Sequence, residues 1–338
     1  MGAPTIIDVA AAAGVSVRTV SRVINRSPKV GARTRDTVEQ AIAGLGFAPS
    51  ARAQALASGR SHLIGVIQGD ENTQVLGPVQ RGIVEACSGS GYELVVRPAQ
   101  AADADLVRQL SDFARRSRVD GLVVLSPVSE VEGLAEALER LGVPAVALAS
   151  RPLAGYRAML WTDDARATAA LGEHLAMHGH RRIAMIAGPA ARASAQERAS
   201  GFRDGLAANH LTLDPALVVE SDYTFAGGLA AAAQLLDRAQ RPTAIFACND
   251  LMAAGVLKAA EQRGLSVPAD LSVAGFDGGD VAALVTPALT TVRRPMRLIA
   301  RRATQALLAN IGQTAAQPQQ TLIPLEIIHG ESTGPASA

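Results

Sequence analysis

The sequence predicts an α/β chain built as a short helix-turn-helix head followed by a body of parallel sheets in two similar lobes. Three observations lead there. The first 46 residues carry three short amphipathic stretches, two of them joined across Gly14. From about His62 onward, short apolar runs alternate with helical stretches, the pattern of parallel sheets covered on both faces. Charge is also unevenly divided. Residues 1–60 hold eight Lys+Arg against three Asp+Glu, a net +5, and the remainder holds 24 against 28, a net −4. A basic head on an acidic body is the electrostatic arrangement of a nucleic-acid binder, although charge alone fits a solvated surface equally well.

Composition narrows the class. The 338 residues are 48% hydrophobic and 19% charged, so the chain is globular, with room for two or three domains. No apolar run approaches the roughly 20 residues that span a bilayer, so no membrane partner is expected. A basic-then-apolar leader is not seen, and two cysteines, Cys87 and Cys248, suggest no disulfide framework. A cytoplasmic location is the expectation from those features.

Within the head, Thr5 can cap a helix over Ile6–Ala13, with Asp8 three residues on, close to a capping box. Ile6, Val9, Ala10 and Ala13 share one face. Gly14 permits a tight turn, and Ser16 caps a second helix from Val17 to about Asn25, whose inward face is Val20, Val23 and Ile24. A third helix, about Ala32–Leu45, should bury Val38, Ile42 and Leu45 and end at Gly46. Val17, Arg18 and Arg22 face away from this core. An arginine can bridge O6 and N7 of guanine, and a valine can touch a thymine methyl. Val17, Arg18, Arg22 and Lys29 are therefore the base-reading candidates. Thr5, Ser16, Thr19, Ser21, Asn25 and Thr34 suit phosphate contacts, which position a module without reading sequence.

These residues carry a resemblance. Thr5-Ile6-Ile7-Asp8-Val9-Ala10, Ala13-Gly14-Val15-Ser16 and Thr19-Val20-Ser21-Arg22-Val23-Ile24-Asn25 resemble the head of the lactose-repressor (LacI/GalR) family. The likeness continues through Val30, Thr34-Arg35, Leu45-Gly46-Phe47 and Pro49. It departs at Gly31 and Ser50, where that family often has Ser and Asn. Pro49 disfavours helix at Ala48, and Ser50 can cap a short helix over Ala51–Ala57. The resemblance implies a hinge helix there, with Ala53 and Leu56 at the minor groove and Leu56 wedged between base pairs. The alternative is that Leu56 packs on the body.

In the body, strands are expected at Leu63–Ile67, Glu93–Val96, Leu122–Leu125, Ala145–Ala149, Ile183–Ala187, Leu217–Glu220, Ala244–Ala247 and Ser272–Gly275, with helices between them. The resemblance covers nearly the whole chain and implies the fold of periplasmic sugar-binding proteins. The expected division is residues 1–46 for the head and 47–61 for the hinge. The first lobe takes 62–161 plus about 290–319, the second 162–289 plus about 320–330, and 331–338 is a disordered tail. Ligands of open parallel sheets bind beyond the carboxyl ends of the strands. That rule selects Asp70, Asp163, the stretch around Tyr223, Asn249 and Asp277. The segments Glu197-Arg198-Ala199-Ser200-Gly201-Phe202, Ala247-Cys248-Asn249-Asp250 and Ala274-Gly275-Phe276-Asp277 resemble family segments that imply effector contacts for Arg198, Asn249 and Asp277. Asp222-Tyr223-Thr224-Phe225 resembles one supplying an aromatic wall, from Tyr223 or Phe225. Arg198 and Asp277 could instead form a structural ion pair, and Tyr223 could be ordinary core. After Asp70 the family commonly has Ser-Asn-Pro-Phe-Phe, whereas here Glu71-Asn72-Thr73-Gln74-Val75-Leu76 stands, with Trp161 as a possible substitute wall.

His174, His178 and His180 form a tempting cluster, but the turn around Gly179 resembles the family's helix-to-strand turn, and no metal or other cofactor is expected. No phosphate loop or nucleophile motif occurs, which argues against an enzyme. The resemblance implies a homodimer on double-stranded operator DNA whose affinity is set by a small, sugar-like effector. Repression relieved by the ligand is the first reading, and ligand-tightened binding is the alternative. A transport receptor shares the body but would need a leader and no basic head.

Overall fold

A computed structural model describes residues 4–24, 27–47, 60–69, 73–312 and 319–337. The chain divides into two compact units, Met1–His62 and Leu63–Ala338. In the first, helices α1 (Ile6–Ala13), α2 (Val17–Ile24) and α3 (Ala32–Leu45) surround a small core. Val9, Val20 and Val38 are wholly buried there. The capping box forms: the Thr5 backbone N–H donates to Asp8 Oδ2 at 2.7 Å, and the Asp8 N–H donates to Thr5 Oγ1 at 3.4 Å. Gly14 ends α1 at φ 63°, where a side chain would be strained. Leu45 differs from expectation: it is exposed, because α3 turns it outward and Phe47 packs on the core instead.

The second unit holds two sheets of six strands each. The first lobe runs β1 (Leu63–Gln68), α4 (Thr73–Cys87), β2 (Glu93–Pro98), α5 (Leu106–Ser117), β3 (Gly121–Leu125), α6 (Leu134–Arg140), β4 (Ala145–Ala149) and β5 (Ala158–Thr162). The second runs α7 (Asp164–Met177), β6 (Ile183–Ala187), α8 (Ala193–Ala207), β7 (Val218–Glu220), α9 (Phe225–Leu236), β8 (Ala244–Ala247), α10 (Asp250–Glu261), β9 (Ser272–Asp277), α11 (Asp280–Leu284) and β10 (Thr290–Arg293). The chain then returns through α12 (Met296–Asn310) and β11 (Gln319–Ile323) to the first lobe, and through β12 (Glu326–Ile328) to the second.

Strand order is β2-β1-β3-β4-β5-β11 in one sheet and β7-β6-β8-β9-β10-β12 in the other. The same order repeats, and every pairing is parallel except β10 with β12. Both sheets reverse direction of winding between their first and third strands, where open α/β sheets hold ligands.

Three features depart from the sequence reading. Strand β5 is unexpected, since Ala158, Met159 and Leu160 favour helix against Trp161 and Thr162; pairing to β4 and β11 decides for a strand. The return crossings expected near 290 and 320 are each shifted. Thr290–Arg293 pairs with β9 in the second sheet, and Gln319–Ile323 pairs with β5 in the first. The tail is ordered through residue 337 rather than disordered. Ser332 is wholly buried; its hydroxyl donates to the Val273 carbonyl at 2.5 Å and accepts from the Thr290 N–H at 2.8 Å. The Ala336 N–H donates to the His178 carbonyl at 2.8 Å. A polar, proline-containing tail reads as disordered from composition, yet here its hydroxyls and amides satisfy backbone groups of β9 and β10.

Candidate functional site

On the head, α2 presents Val17, which is 41% exposed, together with exposed Arg18 and half-buried Arg22. Ser16 caps this helix by accepting from the Thr19 N–H at 3.2 Å, and the two hydroxyls lie 2.9 Å apart. The hydroxyl of Thr5 donates to Asp8 Oδ2 at 2.7 Å, so it serves α1 first. Lys29 is exposed in the turn before α3, while Ser21 and Thr34 are half-buried. The Arg35 guanidinium donates to the Ser27 carbonyl at 2.9 Å, which fixes that turn. Asn25, Ala53, Leu56 and Asp70 lie outside the described residues.

In the body, a cleft opens at the carboxyl ends of both sheets, where open parallel sheets hold their ligands. Arg198, Tyr223, Asn249 and Asp277 all line it. Arg198 is the centre. Its Nε donates to Asp164 Oδ2 at 2.9 Å, its Nη2 lies 3.6 Å from Asp277 Oδ1, and its Nη1 donates to the Cys248 carbonyl. Its guanidinium also stacks 3.7 Å above the Phe276 ring. Burial alone would lower the Arg198 pKa, but Asp164 and Asp277 hold it above its ordinary value. Burial raises that of Asp277, and Arg198 and Arg294 offset this only in part.

Small residues make this arrangement reachable. A Cβ on Gly201 would lie 1.9 Å from the Ala165 carbonyl oxygen, and one on Gly205 would lie 2.0 Å from that of Ala169. Helices α7 and α8 therefore nearly touch, which brings Arg198 on α8 against Asp164 at the start of α7.

Tyr223 and Asp277 sit at φ 67° and φ 112°, regions that side chains rarely adopt. Such strain tends to collect at ligand sites. Tyr223 lies over Gly188, where a Cβ would come within 2.1 Å of its ring, and its hydroxyl is 3.4 Å from that of Ser194. Burial pushes its pKa up to about 12, so it stays a neutral phenol. Asn249 caps α10 by accepting from the Met252 N–H at 2.8 Å and donates to the Tyr223 carbonyl at 2.8 Å. It holds the tyrosine turn in place as well as facing the cleft.

Two predicted residues lie elsewhere. Phe225 does not line the cleft; it begins α9 and is 42% exposed, and of the two aromatic candidates Tyr223 is the one that lines it. Asp163 caps α7, accepting from the Arg166 N–H at 3.0 Å, and is not among the lining residues. Trp161 alternates to the far face of its strand and packs on the core behind, so it offers no replacement wall. Sequence reasoning missed Asp164, Ser126, Ser150, Thr162, Arg192, Ser194 and Arg294. Asp164 had a signal as the neighbour of a chosen aspartate, and Ser126 and Ser150 had one as the residues just past the expected strands Leu122–Leu125 and Ala145–Ala149. Among the described residues, no group of three His, Cys, Asp or Glu side chains could hold a metal ion. His174 instead bonds Thr333 at 3.0 Å.

A helix-turn-helix with an outward Val-Arg-Arg face, joined in one chain to a two-lobed body with a polar cleft, defines a ligand-responsive DNA-binding transcription regulator. Residues 5–50 match the model of bacterial regulatory proteins of the lacI family, and residues 172–333 match a periplasmic binding protein-like domain. The ribose operon repressor of Escherichia coli (strain K12) is 33% identical over 330 residues, covering 97% of this chain and 99% of that one. Among solved structures, the lac repressor dimer bound to operator and the anti-inducer ONPF has a TM-score of 0.84 at 30% identity, covering 98% of this chain and all of that one. The transcriptional regulator CelR in complex with cellobiose has a TM-score of 0.72 at 31% identity, covering 97% and 99%. The chain belongs to the LacI family of bacterial regulatory proteins. These relatives are regulators by name rather than enzymes, and among the described residues no helix is long and apolar enough to cross a membrane.

Proposed function

We propose that this protein is a cytoplasmic, non-enzymatic homodimeric repressor that occupies a near-palindromic operator and is released by a sugar-like effector held between its lobes. The observation that carries the reading is the convergence of Arg198, Asn249, Asp277 and Tyr223 on one cleft. Guanidinium, amide and carboxylate groups can grip vicinal hydroxyls, and an aromatic face packs on sugar C–H edges. The cellobiose complex of CelR and the operator complex of the lac repressor dimer support the sugar and DNA halves by similarity. In the head, Val17, Arg18, Arg22 and Lys29 read bases while Thr5, Ser16, Thr19, Ser21, Asn25 and Thr34 meet phosphates; Ala53 and Leu56 engage the minor groove. Two-fold symmetry places one head on each half-site.

The test is selection of duplexes from a random pool by the full chain, followed by anisotropy on the winner with a panel of sugars. A palindromic consensus, loss of selectivity in Arg22→Ala, and release by at least one sugar are the expected results. Equal affinity for random and selected duplexes refutes the reading. Tightening by ligand instead of release turns it to corepression.

A further inference from the structure

We propose that Asp250, which is not among the lining residues of the cleft, is a positioning residue for effector recognition: through Thr291 and the turn at Gly278-Gly279 it holds Asp277 in the conformation that grips the ligand. This rests on the effector reading above.

Two cleft residues carry positive φ, Tyr223 at 67° and Asp277 at 112°. Both are held from one point of the chain, the start of α10. Asn249 donates from its side-chain amide to the Tyr223 carbonyl at 2.8 Å. Its neighbour Asp250 serves the second strained residue. Asp250 Oδ2 accepts from the Gly279 N–H at 3.0 Å, and its Oδ1 accepts from the Thr291 hydroxyl at 2.6 Å. The same hydroxyl oxygen accepts from the Gly278 N–H at 3.3 Å. The two residues after Asp277 are therefore pinned, one by Asp250 directly and one through Thr291 on β10. On the far side, the Arg294 N–H donates to the Asp277 carbonyl at 3.0 Å.

Backbone preference alone does not hold this turn. A non-glycine residue in such a region costs about 1–3 kcal/mol and persists only where its surroundings over-determine it. Gly278 follows at φ 61°, and a Cβ there would lie 2.7 Å from Arg293 Cα. Gly275 makes room for the carboxylate, since a Cβ on it would lie 2.4 Å from Asp250 Oδ1.

Capping and ion pairing do not account for Asp250. Asn249 already caps α10, accepting from the Met252 N–H at 2.8 Å. Asp250 is 2% exposed, and its carboxylate meets a hydroxyl and a backbone N–H rather than a cation. Burying a carboxylate in that way costs stability, and the geometry of the turn is what it sustains.

The test combines crystal structures of unliganded Asp250→Ala, Thr291→Val and Thr291→Ser with calorimetric titration of each full chain by aldoses and their monodeoxy analogues. In Asp250→Ala and Thr291→Val, Asp277 should leave positive φ and aldose affinity should fall at least tenfold, about 1.4 kcal/mol. Thr291→Ser keeps the hydroxyl and should keep the parent's affinity. A melting curve of each variant separates lost recognition from lost folding. In the deoxy series, the hydroxyl that Asp277→Asn no longer distinguishes should be the one that Thr291→Val no longer distinguishes. A loss spread evenly over every hydroxyl makes Asp250 merely structural and overturns the proposal. So does an Asp277 that keeps its conformation in both Asp250→Ala and Thr291→Val. Binding of no sugar by the parent defeats the sugar reading alone, and the conformation of Asp277 in the variant crystals then decides the positioning role.

Discussion

Arg198→Met tests whether the centre of the cleft is an ion network or merely packing. Arg198 and Asp164 have side chains only 4% and 0% exposed, so methionine leaves Asp164 charged and buried without its partner. Removing one member of a buried pair costs about 3–5 kcal/mol, mostly from the stranded charge. For a unit the size of Leu63–Ala338 each kcal/mol lowers Tm by about 2–4 °C, which gives a drop of roughly 6–20 °C. Differential scanning calorimetry of the full chain at neutral pH reads this directly. The double variant Arg198→Met with Asp164→Asn removes the stranded charge and should recover a substantial part of the loss. A single-variant drop below about 2 °C, or a double variant no better than the single, refutes the reasoning.

Other outcomes follow from the same geometry. Gly188→Ala should displace the Tyr223 ring, weakening effector binding at least tenfold in calorimetry while selective DNA binding by the head persists in a gel shift. Removing residues 331–338 should lower Tm by several degrees, since it strips partners from Val273, Thr290 and His180; an unchanged melt shows the tail is dispensable. Stability against pH holds two opposed contributions. Burial raises Asp250 from 3.8 to about 7, so the folded state binds the extra proton and this contribution is lost as pH rises between those values. Burial lowers His174 from 6.5 to about 4, so its contribution is lost as pH falls through that interval. Between pH 4 and 6.5 Asp250→Asn should therefore fall in stability on acidification more steeply than the parent in urea melts, and His174→Gln should do the reverse.

The alternation of apolar runs with helical stretches made both sheets legible, because parallel strands buried on two faces leave continuous apolar runs such as Ile183–Ala187. Thr5, Asp8 and Gly14 announced α1 through local capping chemistry, which needs no distant partner. Strand β5 was hidden because its reason for being a strand is its neighbours on either side. The tail was hidden for a related reason: Ser332 and Thr333 look soluble until β9, β10 and His174 are placed around them. In the cleft, Arg198, Asn249 and Asp277 follow strand ends or matched motifs. Ser150 follows the expected strand Ala145–Ala149, a strand-end position that the motif matches passed over, whereas Arg294 becomes a cleft residue only when two lobes face each other. Phe225 and Tyr223 stood two apart with equal claims, and the turn at Tyr223 decided between them.

The central claim is that occupancy of the interlobe cleft and occupancy of the operator are coupled. Calorimetric titration of the effector into free protein, and into protein saturated with its selected duplex, tests it most directly. Coupling of about 1–3 kcal/mol should weaken effector binding 5–150-fold on the duplex, and anisotropy should show operator affinity falling by the same factor when effector is present. Identical effector affinity with and without the duplex would contradict the account.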